Sequence, residues 1–194
     1  MQPRGAFFSR DLPEDKTLSI KVVKNVFYLR DLPSDKVLRD FAKRYVEMDI
    51  SSVNACLRLL RSGSDLEGAF NTMLARHGLS QGRFLVLVYL CRNPEEEISP
   101  SQLSEKVGVT RATMTGLLDG LEREKLVERA DHANDRRKRR VQLTKAGRKV
   151  IDDMLPDYYC RIKGVMKELS EEEREALVNL LSKVNRCLSA MIDD

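Results

Sequence analysis

Tryptophan is absent from this chain of 194 residues, which holds only 6 prolines and 2 histidines. Long apolar runs are absent too: the longest, residues 84–91, has eight residues, whereas a bilayer-spanning helix needs roughly 18 to 20. Residues 1–16 lack the continuous apolar core of a signal peptide. With 42% hydrophobic and 33% charged residues, the composition excludes a disordered chain and a collagen. We therefore expect a soluble, cytoplasmic, globular protein that does not bind membranes.

The chain also lacks the side-chain groupings of metal, disulfide and catalytic sites. No pair of its four cysteines has the C-x-x-C spacing, and His77 and His132 are too few and too distant to complete a metal cluster. Isolated cysteines are mostly buried as small apolar residues, so we expect no disulfide framework, metal or cofactor. The common catalytic motifs are missing, and the acidic run 171–175 is typical of a helix start, so we do not expect an enzyme.

Positive charge is concentrated in the middle of the chain. Residues 99–149 hold 13 Lys and Arg against 7 Asp and Glu, a net charge of +6, whereas residues 150–194 carry −4. The peak is the unbroken cationic run 136–140. Such a stretch favours a polyanionic partner, and the alternative is a solvated charged loop.

The N-terminal region contains a short duplication. Residues 10–18 and 30–38 are identical at seven of nine positions, at a spacing of 20 residues. Each copy places a proline before an acidic turn, which indicates a helix start. Two copies are too few for a solenoid, so we interpret residues 1–48 as an N-terminal arm of unassigned function.

Apolar spacing predicts helices over residues 37–45 and 50–76, with a possible break at Gly63. The apolar stretch 84–90 fits a buried strand or a buried helix equally well, because it has no clear period.

A helix-turn-helix follows. Ser99 and Gln102 form a capping box that starts a short helix, and Gly108 ends it. Thr110 can cap a second helix at once. The apolar positions of that second helix recur at i, i+3, i+4 and i+7, and they are Met114, Leu117, Leu118 and Leu121. Two short helices joined by a glycine-containing turn are typical of DNA-binding domains.

The opposite face of the second helix carries almost no side-chain bulk. Ala112 and Gly116 lie one turn apart there, flanked by Arg111, Thr113 and Thr115. Such a face allows close approach to DNA, where alanine and threonine methyls can contact thymine and arginine can bind guanine or phosphate. The alternative is a small-residue seam packed on another helix.

Two short runs with strand character, 126–130 and 138–143, flank a turn-rich segment at 131–137. They predict a β-hairpin with a cationic tip and return strand. A hairpin of this kind next to a helix-turn-helix forms a winged helix-turn-helix, and a narrow minor groove attracts its arginines.

The C-terminal part predicts two further helices. One starts at Thr144 and is expected to end or kink at Pro156, and the other starts at a capping box, Ser170 with Glu173. The second helix carries a heptad seam, made of Leu177, Leu181, Val184, Leu188 and Met191. We expect the seam to pair two chains, and the alternative is packing within one chain.

Over residues 49–191 the chain resembles the MarR family of bacterial transcriptional regulators. The most specific landmarks are D-R-R at 135–137 and L-T-x-x-G at 143–147. Further matching positions are Gly78, Leu79, Ser80, Phe84, Val86, Leu87, Gln102, Leu103, Thr113, Met114, Thr115 and the run 117–121. Residues 1–48 lie outside the family pattern.

The resemblance implies a mainly α fold with a small β-hairpin wing, in which residues 49–77 and 150–194 are dimerisation helices and 78–149 the DNA-binding domain. It makes 50–76 one helix and 84–90 a helix. It also implies a homodimer that binds a pseudo-palindromic double-stranded operator, usually as a repressor. Arg137 would reach the minor groove, and Asp135 would hold the wing by an ion pair. The predicted DNA-binding residues are Thr110, Arg111, Ala112, Thr113, Thr115, Gly116, Asn134, Asp135, Arg136, Arg137, Lys138 and Arg139.

In this family a small-molecule effector often changes the spacing of the recognition helices. Candidate contacts are Phe70, His77 and Arg83, and the effector would be an aromatic or carboxylate compound. A rival hypothesis is thiol-based sensing through Cys56, although Phe70 and Gln81 stand where the peroxide-sensing branch has tyrosines. Operator release by peroxide, with and without Cys56→Ser, separates the two. Two further alternatives are a winged helix that binds only protein and a non-specific DNA-packaging protein.

Overall fold

The computed structural model describes residues 31–132 and 135–191, and for residues 131–139 only the backbone of the strands. The elements, in chain order, are α1 (Asp35–Ala42), α2 (Ile50–Arg76), α3 (Gln81–Arg92), α4 (Pro100–Val107), α5 (Arg111–Arg123), β1 (Val127–His132), β2 (Asp135–Leu143), α6 (Lys145–Val165), α7 (Glu171–Arg186) and a 3₁₀ turn (Leu188–Met191). Mainly helical structure with one small hairpin confirms the predicted fold class.

The helix α3 lies at the centre of the core. Five of its residues are buried, on more than one face, which explains why the stretch shows no helical period. It contacts α2, α4, α5, α6 and β2. Most of the other fully buried side chains come from those elements, among them Leu74, Leu103, Met114, Leu118, Leu121, Ile151 and Met154.

The helix α2 is continuous, so the expected break at Gly63 is wrong and the family resemblance is right. Arg61 Nε donates to Asp65 Oδ2 at 2.7 Å, across the segment that contains the glycine. An i,i+4 ion pair of this kind supports a helix over one turn.

The two C-terminal helices differ from the sequence expectations. Pro156 does not end α6, which continues to Val165. The proline removes only the hydrogen bond to the carbonyl of Asp152, which lies on an exposed part of the helix where water can replace it. The heptad seam is also shorter than predicted, because α7 ends at Arg186 and Leu188–Met191 forms a 3₁₀ turn.

The cysteines are not the buried residues that we expected. Cys56, Cys160 and Cys187 are exposed, and Cys91 is half-buried. Within residues 31–132 and 135–191, no helix is both long enough and apolar enough to cross a bilayer.

Candidate nucleic-acid interface

The helix-turn-helix is built by backbone caps at each end of its short turn. Ser99 and Gln102 form the predicted capping box of α4, and Gly108 ends that helix with φ +74°. A side chain at this left-handed position would be strained, so glycine sets the angle between the helices. Thr110 Oγ1 then accepts from the Thr113 amide at 3.1 Å and caps α5.

The N-terminal half of α5 presents a shallow, exposed surface. Arg111, Ala112, Thr115 and Gly116 are exposed, and a Cβ atom added at Gly116 would meet no atom within 4 Å. Thr115 Oγ1 donates to the Arg111 carbonyl at 3.0 Å, so its hydroxyl is satisfied within the helix. Among the residues that the structure describes, no other helix packs on this face, which is the arrangement that close approach to DNA requires.

The acidic residues of α5 lie in its C-terminal half and are held by arginines. Arg129 of β1 lies 2.6 Å from Asp119 Oδ1 and 3.3 Å from Glu122 Oε2, and its side chain is largely buried. The single guanidinium pairs with both carboxylates, so it offsets one of their two negative charges, and it holds the hairpin against α5. Sequence reasoning missed Arg129 because it is separated from the basic run, and only the fold brings it against α5.

Arg83 also pairs with α5. Its Nη2 donates to Glu124 Oε2, so this arginine is engaged within the protein rather than facing an open ligand site. The pair connects the first turn of α3 to the end of α5.

The hairpin is antiparallel, with Val127 opposite Leu143 and an irregularity after Asp131. At the base of the hairpin, the Val141 amide donates to the Ile98 carbonyl at 2.9 Å. Ile98 thus forms an isolated antiparallel bridge beside β2. Arg140, the last residue of the basic run, turns to Glu97 with an Nη1–Oε1 distance of 2.6 Å. The last cation of the run therefore pairs within the protein and stabilises the hairpin.

The structure leaves the predicted wing contacts untested. Asn134 lies outside the described residues. Asp135, Arg136, Arg137, Lys138 and Arg139 belong to β2, but their side chains lie outside the described part of the chain. Their proposed roles stay predictions.

The L-T-x-x-G motif joins the hairpin to α6. Thr144 Oγ1 donates to the Lys125 carbonyl at 2.7 Å and accepts from the Gly147 amide at 3.0 Å. A Cβ atom at Gly147 would lie 2.0 Å from the Leu126 carbonyl oxygen. The motif is thus explained by a close backbone contact between α6 and the start of β1.

A cavity of about 500 Å³ lies between α2 and α6. It is lined mainly by apolar side chains, with two arginines at its edge, and its residues are Leu66, Ala69, Phe70, Thr72, Met73, Arg76, Arg161, Ile162, Gly164 and Val165. Of the three predicted effector contacts only Phe70 lines it. His77 Nε2 instead lies 3.2 Å from Asp157 Oδ2, and Arg83 binds Glu124.

Asp157 gives the fold an acid-sensitive contact. Hydrogen bonds from Arg161, and then from His77, lower the pKa of its carboxyl below the ordinary value of 3.8. A carboxylate with a lowered pKa stabilises the folded state above the unfolded-state pKa, and this contribution is lost as the pH falls through the lowered value.

We therefore expect Asp157→Asn to flatten the acid limb of the stability curve. Urea unfolding midpoints measured from about pH 6 down to about pH 3 would fall less steeply for the variant than for the wild type. If the urea midpoints of the two proteins fall equally steeply with pH, the hydrogen bonds to Asp157 do not contribute to acid sensitivity.

Cys56 is exposed near the start of α2. Arg58 and Arg61, its cationic neighbours in sequence, direct their Nε atoms to Asn54 and Asp65. Thiol-based sensing stays a prediction.

Comparison with known proteins agrees with this geometry. The model of the MarR family matches residues 77–138. A transcriptional repressor of Bacillus subtilis, YetL, is 33% identical over 156 residues, covering 80% of this chain and 93% of YetL. The transcriptional repressor MprA of Escherichia coli is 31% identical over 124 residues, covering 64% of this chain and 70% of MprA.

Among solved structures, the MepR–DNA complex of S. aureus superposes with a TM-score of 0.61, covering 69% of this chain and 95% of that one. Its identity of 22% makes this a likeness of fold. The sequence relatives and the winged helix-turn-helix together show that the chain belongs to the MarR family of DNA-binding transcriptional regulators, a non-enzymatic class.

Proposed function

We propose that the protein is a homodimeric repressor that binds a pseudo-palindromic operator and is released by a small anionic effector. The observation that carries the DNA-binding part is the exposed face of α5. Residues 111–118 contain no acidic side chain, and the three carboxylates farther along, Asp119, Glu122 and Glu124, are ion-paired with Arg129 and Arg83. A helix whose N-terminal half is small and free of negative charge fits the major groove.

The hairpin supplies the second contact. Arg129 holds β1 against α5, so a wing that enters the minor groove would move together with the helix in the major groove. The repressor names of YetL and MprA support repression as the direction of regulation.

Dimerisation is supported by α7. None of its 16 residues is buried, and Val178 and Leu180 are 54% and 58% exposed. An isolated helix of this length is marginal in water, so an apolar face that the described residues leave open needs a partner surface. A second copy supplies it and also spaces two recognition helices one helical turn of DNA, about 10 base pairs, apart.

Arg137→Ala tests the wing. In fluorescence anisotropy with a duplex selected from a random-sequence library, we expect a loss of about 1–3 kcal/mol in binding. The slope of log affinity against log salt should also become shallower by about 0.9, because one phosphate contact is removed. Random-sequence duplex is the control, since a DNA-packaging protein would bind it equally well. Unchanged affinity and slope would contradict the minor-groove role.

The cavity between α2 and α6 is the proposed effector site. Phe70, Met73 and Ile162 offer an apolar surface, and the exposed guanidinium of Arg76 lies at the edge. Arg161 is less available because its Nε donates to Asp157 Oδ2 at 2.8 Å. This lining suits an aromatic carboxylate, whose ring is buried and whose charge pairs with arginine.

We expect Arg76→Gln to raise the benzoate concentration that releases half of the bound duplex by about tenfold or more, because a charged hydrogen bond is worth roughly 1.5–3 kcal/mol and 1.4 kcal/mol is about tenfold. Lys163→Gln is the matched control: it removes one positive charge from the same helix as Arg161 but does not line the cavity. If benzoate releases duplex from all three proteins at one concentration, Arg76 is not the anchor.

A further inference from the structure

An apolar groove lies at the N-terminal end of α2, beside α1. It has a volume of about 510 Å³, and the residues that the structure describes leave it open. Val37 and Phe41 of α1 line one side, and Val53 and Leu57 of α2 line the other. The helix α1 is anchored through Leu38, its single buried residue, so most of its apolar surface stays uncovered.

The edge of the groove is aromatic and exposed. Phe41 and Tyr45 are 50% and 56% exposed, and their ring centroids lie 6.1 Å apart. Val37, which precedes Phe41 by one helical turn, is exposed as well. Single apolar residues scattered on a surface need no explanation, but a connected apolar patch beside a groove marks an interaction site. The occupant of this groove should therefore be apolar.

The chain enters the described part of the structure at this groove. Residue 31 is the first described residue, and Asp31, Leu32 and Pro33 all line the groove. The 30 residues that precede them are thus tethered to its edge. A segment on a short tether acts at a millimolar effective concentration, an advantage that a separate chain lacks. The adjoining residues of the same chain are therefore the favoured occupant.

The sequence of those adjoining residues is that of an amphipathic helix. Eight of the 12 residues in the range 18–29 are apolar. At about 100° per residue, the positions i, i+4, i+8 and i+11 fall on one face of a helix. In this range they are Leu18, Val22, Val26 and Leu29. Lys21 and Lys24 fall outside that face, so one side of the helix is apolar and the other is basic.

The duplication supplies a start for this helix and a loop after it. In the second copy, Leu32 and Pro33 precede α1, which begins at Asp35. The first copy repeats L-P-x-D-K at residues 12–16, so the same spacing starts a helix at residue 15, with Glu14 where Ser34 caps α1. A helix that ends at Leu29 leaves residues 30–34 as the loop to α1. A loop of this length fits the roughly 2–5 residues that join two antiparallel helices.

Charge favours the same arrangement. Residues 18–29 carry two lysines and no carboxylate, a net charge of +2. Both ends of the groove are acidic: residues 31–35 hold two aspartates, residues 45–54 hold Glu47 and Asp49, and neither range contains a cation. Opposite charges on two surfaces promote their encounter and fix their relative orientation.

We propose that residues 18–29 form a helix that packs in the groove between α1 and α2 of the same chain. Its apolar face covers Val37 and Phe41, and its two lysines face the acidic ends of the groove. The duplicated N-terminal arm, which lies outside the MarR pattern, thereby covers an apolar surface that the MarR core exposes. The inference goes beyond the proposed function, since it requires neither DNA nor an effector.

Photocrosslinking tests the occupant directly. Phe41 is replaced by p-benzoylphenylalanine in the full-length chain, which keeps an aromatic ring at the edge of the groove. Unlabelled and ¹⁵N-labelled chains are mixed so that subunits exchange, then irradiated and analysed by mass spectrometry. We expect crosslinks to residues 18–29 in which both peptides carry the same isotope. Leu85→p-benzoylphenylalanine is the control, because Leu85 is exposed on α3, does not line the groove and should not crosslink to these residues.

Amide hydrogen exchange tests whether the apolar face makes the contact. Val22→Asp combined with Val26→Asp should raise the exchange rate of residues 35–45 by about tenfold or more, because α1 loses the surface that covers it. Lys21→Gln combined with Lys24→Gln is the matched control: it changes the net charge by the same amount but leaves the apolar face intact. It should change the exchange rate much less. The aspartate pair should also abolish the Phe41 crosslink, whereas the glutamine pair should preserve it.

Three results would each overturn the inference. Mixed-isotope crosslinks from Phe41 would show that a second copy, through its own arm or its α7, fills the groove. Absence of crosslinks to residues 18–29 would show that the arm lies elsewhere. Equal exchange in residues 35–45 for both pairs of substitutions would show that the face carrying Val22 and Val26 does not cover α1. All three leave the proposed binding of an operator unaffected, since that is measured with duplex DNA.

Discussion

Gly116→Glu is expected to weaken binding to the selected duplex by about 100-fold or more, because a carboxylate would then face DNA phosphates and like charges in contact cost several kcal/mol. The same change should make the folded protein slightly more stable, by about 0.5 kcal/mol, since glycine is a poor helix former. Gly116 is exposed and a Cβ atom there meets nothing, so no steric strain opposes the gain. Anisotropy and urea unfolding measure the two effects.

Gly116→Gln is the matched control, because it adds nearly the same bulk without the charge. We expect it to weaken binding less than glutamate does, and the difference between the two variants reports the electrostatic part. If the glutamate variant binds as tightly as the wild type, the N-terminal face of α5 does not contact DNA.

Gly147→Ala is expected to lower the free energy of unfolding by about 3 kcal/mol, the upper end of the usual cost of inserting an atom into packed structure. The added Cβ would lie 2.0 Å from the Leu126 carbonyl oxygen, which belongs to the backbone and cannot rotate away. Moving it would also disturb Thr144, whose amide donates to the same oxygen at 3.1 Å. Urea unfolding gives the loss.

Gly164→Ala, in the same helix, is the control. No atom lies within 4 Å of a Cβ at that position, so alanine should raise stability by up to about 1 kcal/mol. Equal urea unfolding midpoints for the wild type and Gly147→Ala would contradict this prediction, because they would show that the backbone at Leu126 moves away from the added Cβ at little cost.

Local chemistry in the sequence was sufficient to predict the helix-turn-helix. The capping box at Ser99, the left-handed Gly108 and the cap at Thr110 are all found as expected. These features depend on residues within one helical turn of each other, so neighbouring residues in the sequence specify them.

Two expectations from residue type alone were wrong, because the position of the residue in the fold outweighs its usual preference. Proline was expected to end or kink the helix at 156, but one lost hydrogen bond on an exposed face is too small a cost to end α6. The cysteines were expected to be buried, yet three are exposed because they lie on the surfaces of α2, α6 and the end of α7.

Local spacing by itself predicted the helix-turn-helix and the hairpin, and composition located the concentration of cations near the hairpin, whereas the class of the protein followed from the resemblance carried by the D-R-R and L-T-x-x-G motifs. The tertiary structure alone decided how the charges are used. It placed Arg129 against Asp119 and Glu122, Arg83 against Glu124 and Arg140 against Glu97. It also separated His77 and Arg83 from the cavity that Phe70 lines. The physical reason is that a side-chain ion pair depends on the distance between two atoms, and residues 41 or 43 positions apart are brought together only when the helices and the hairpin pack.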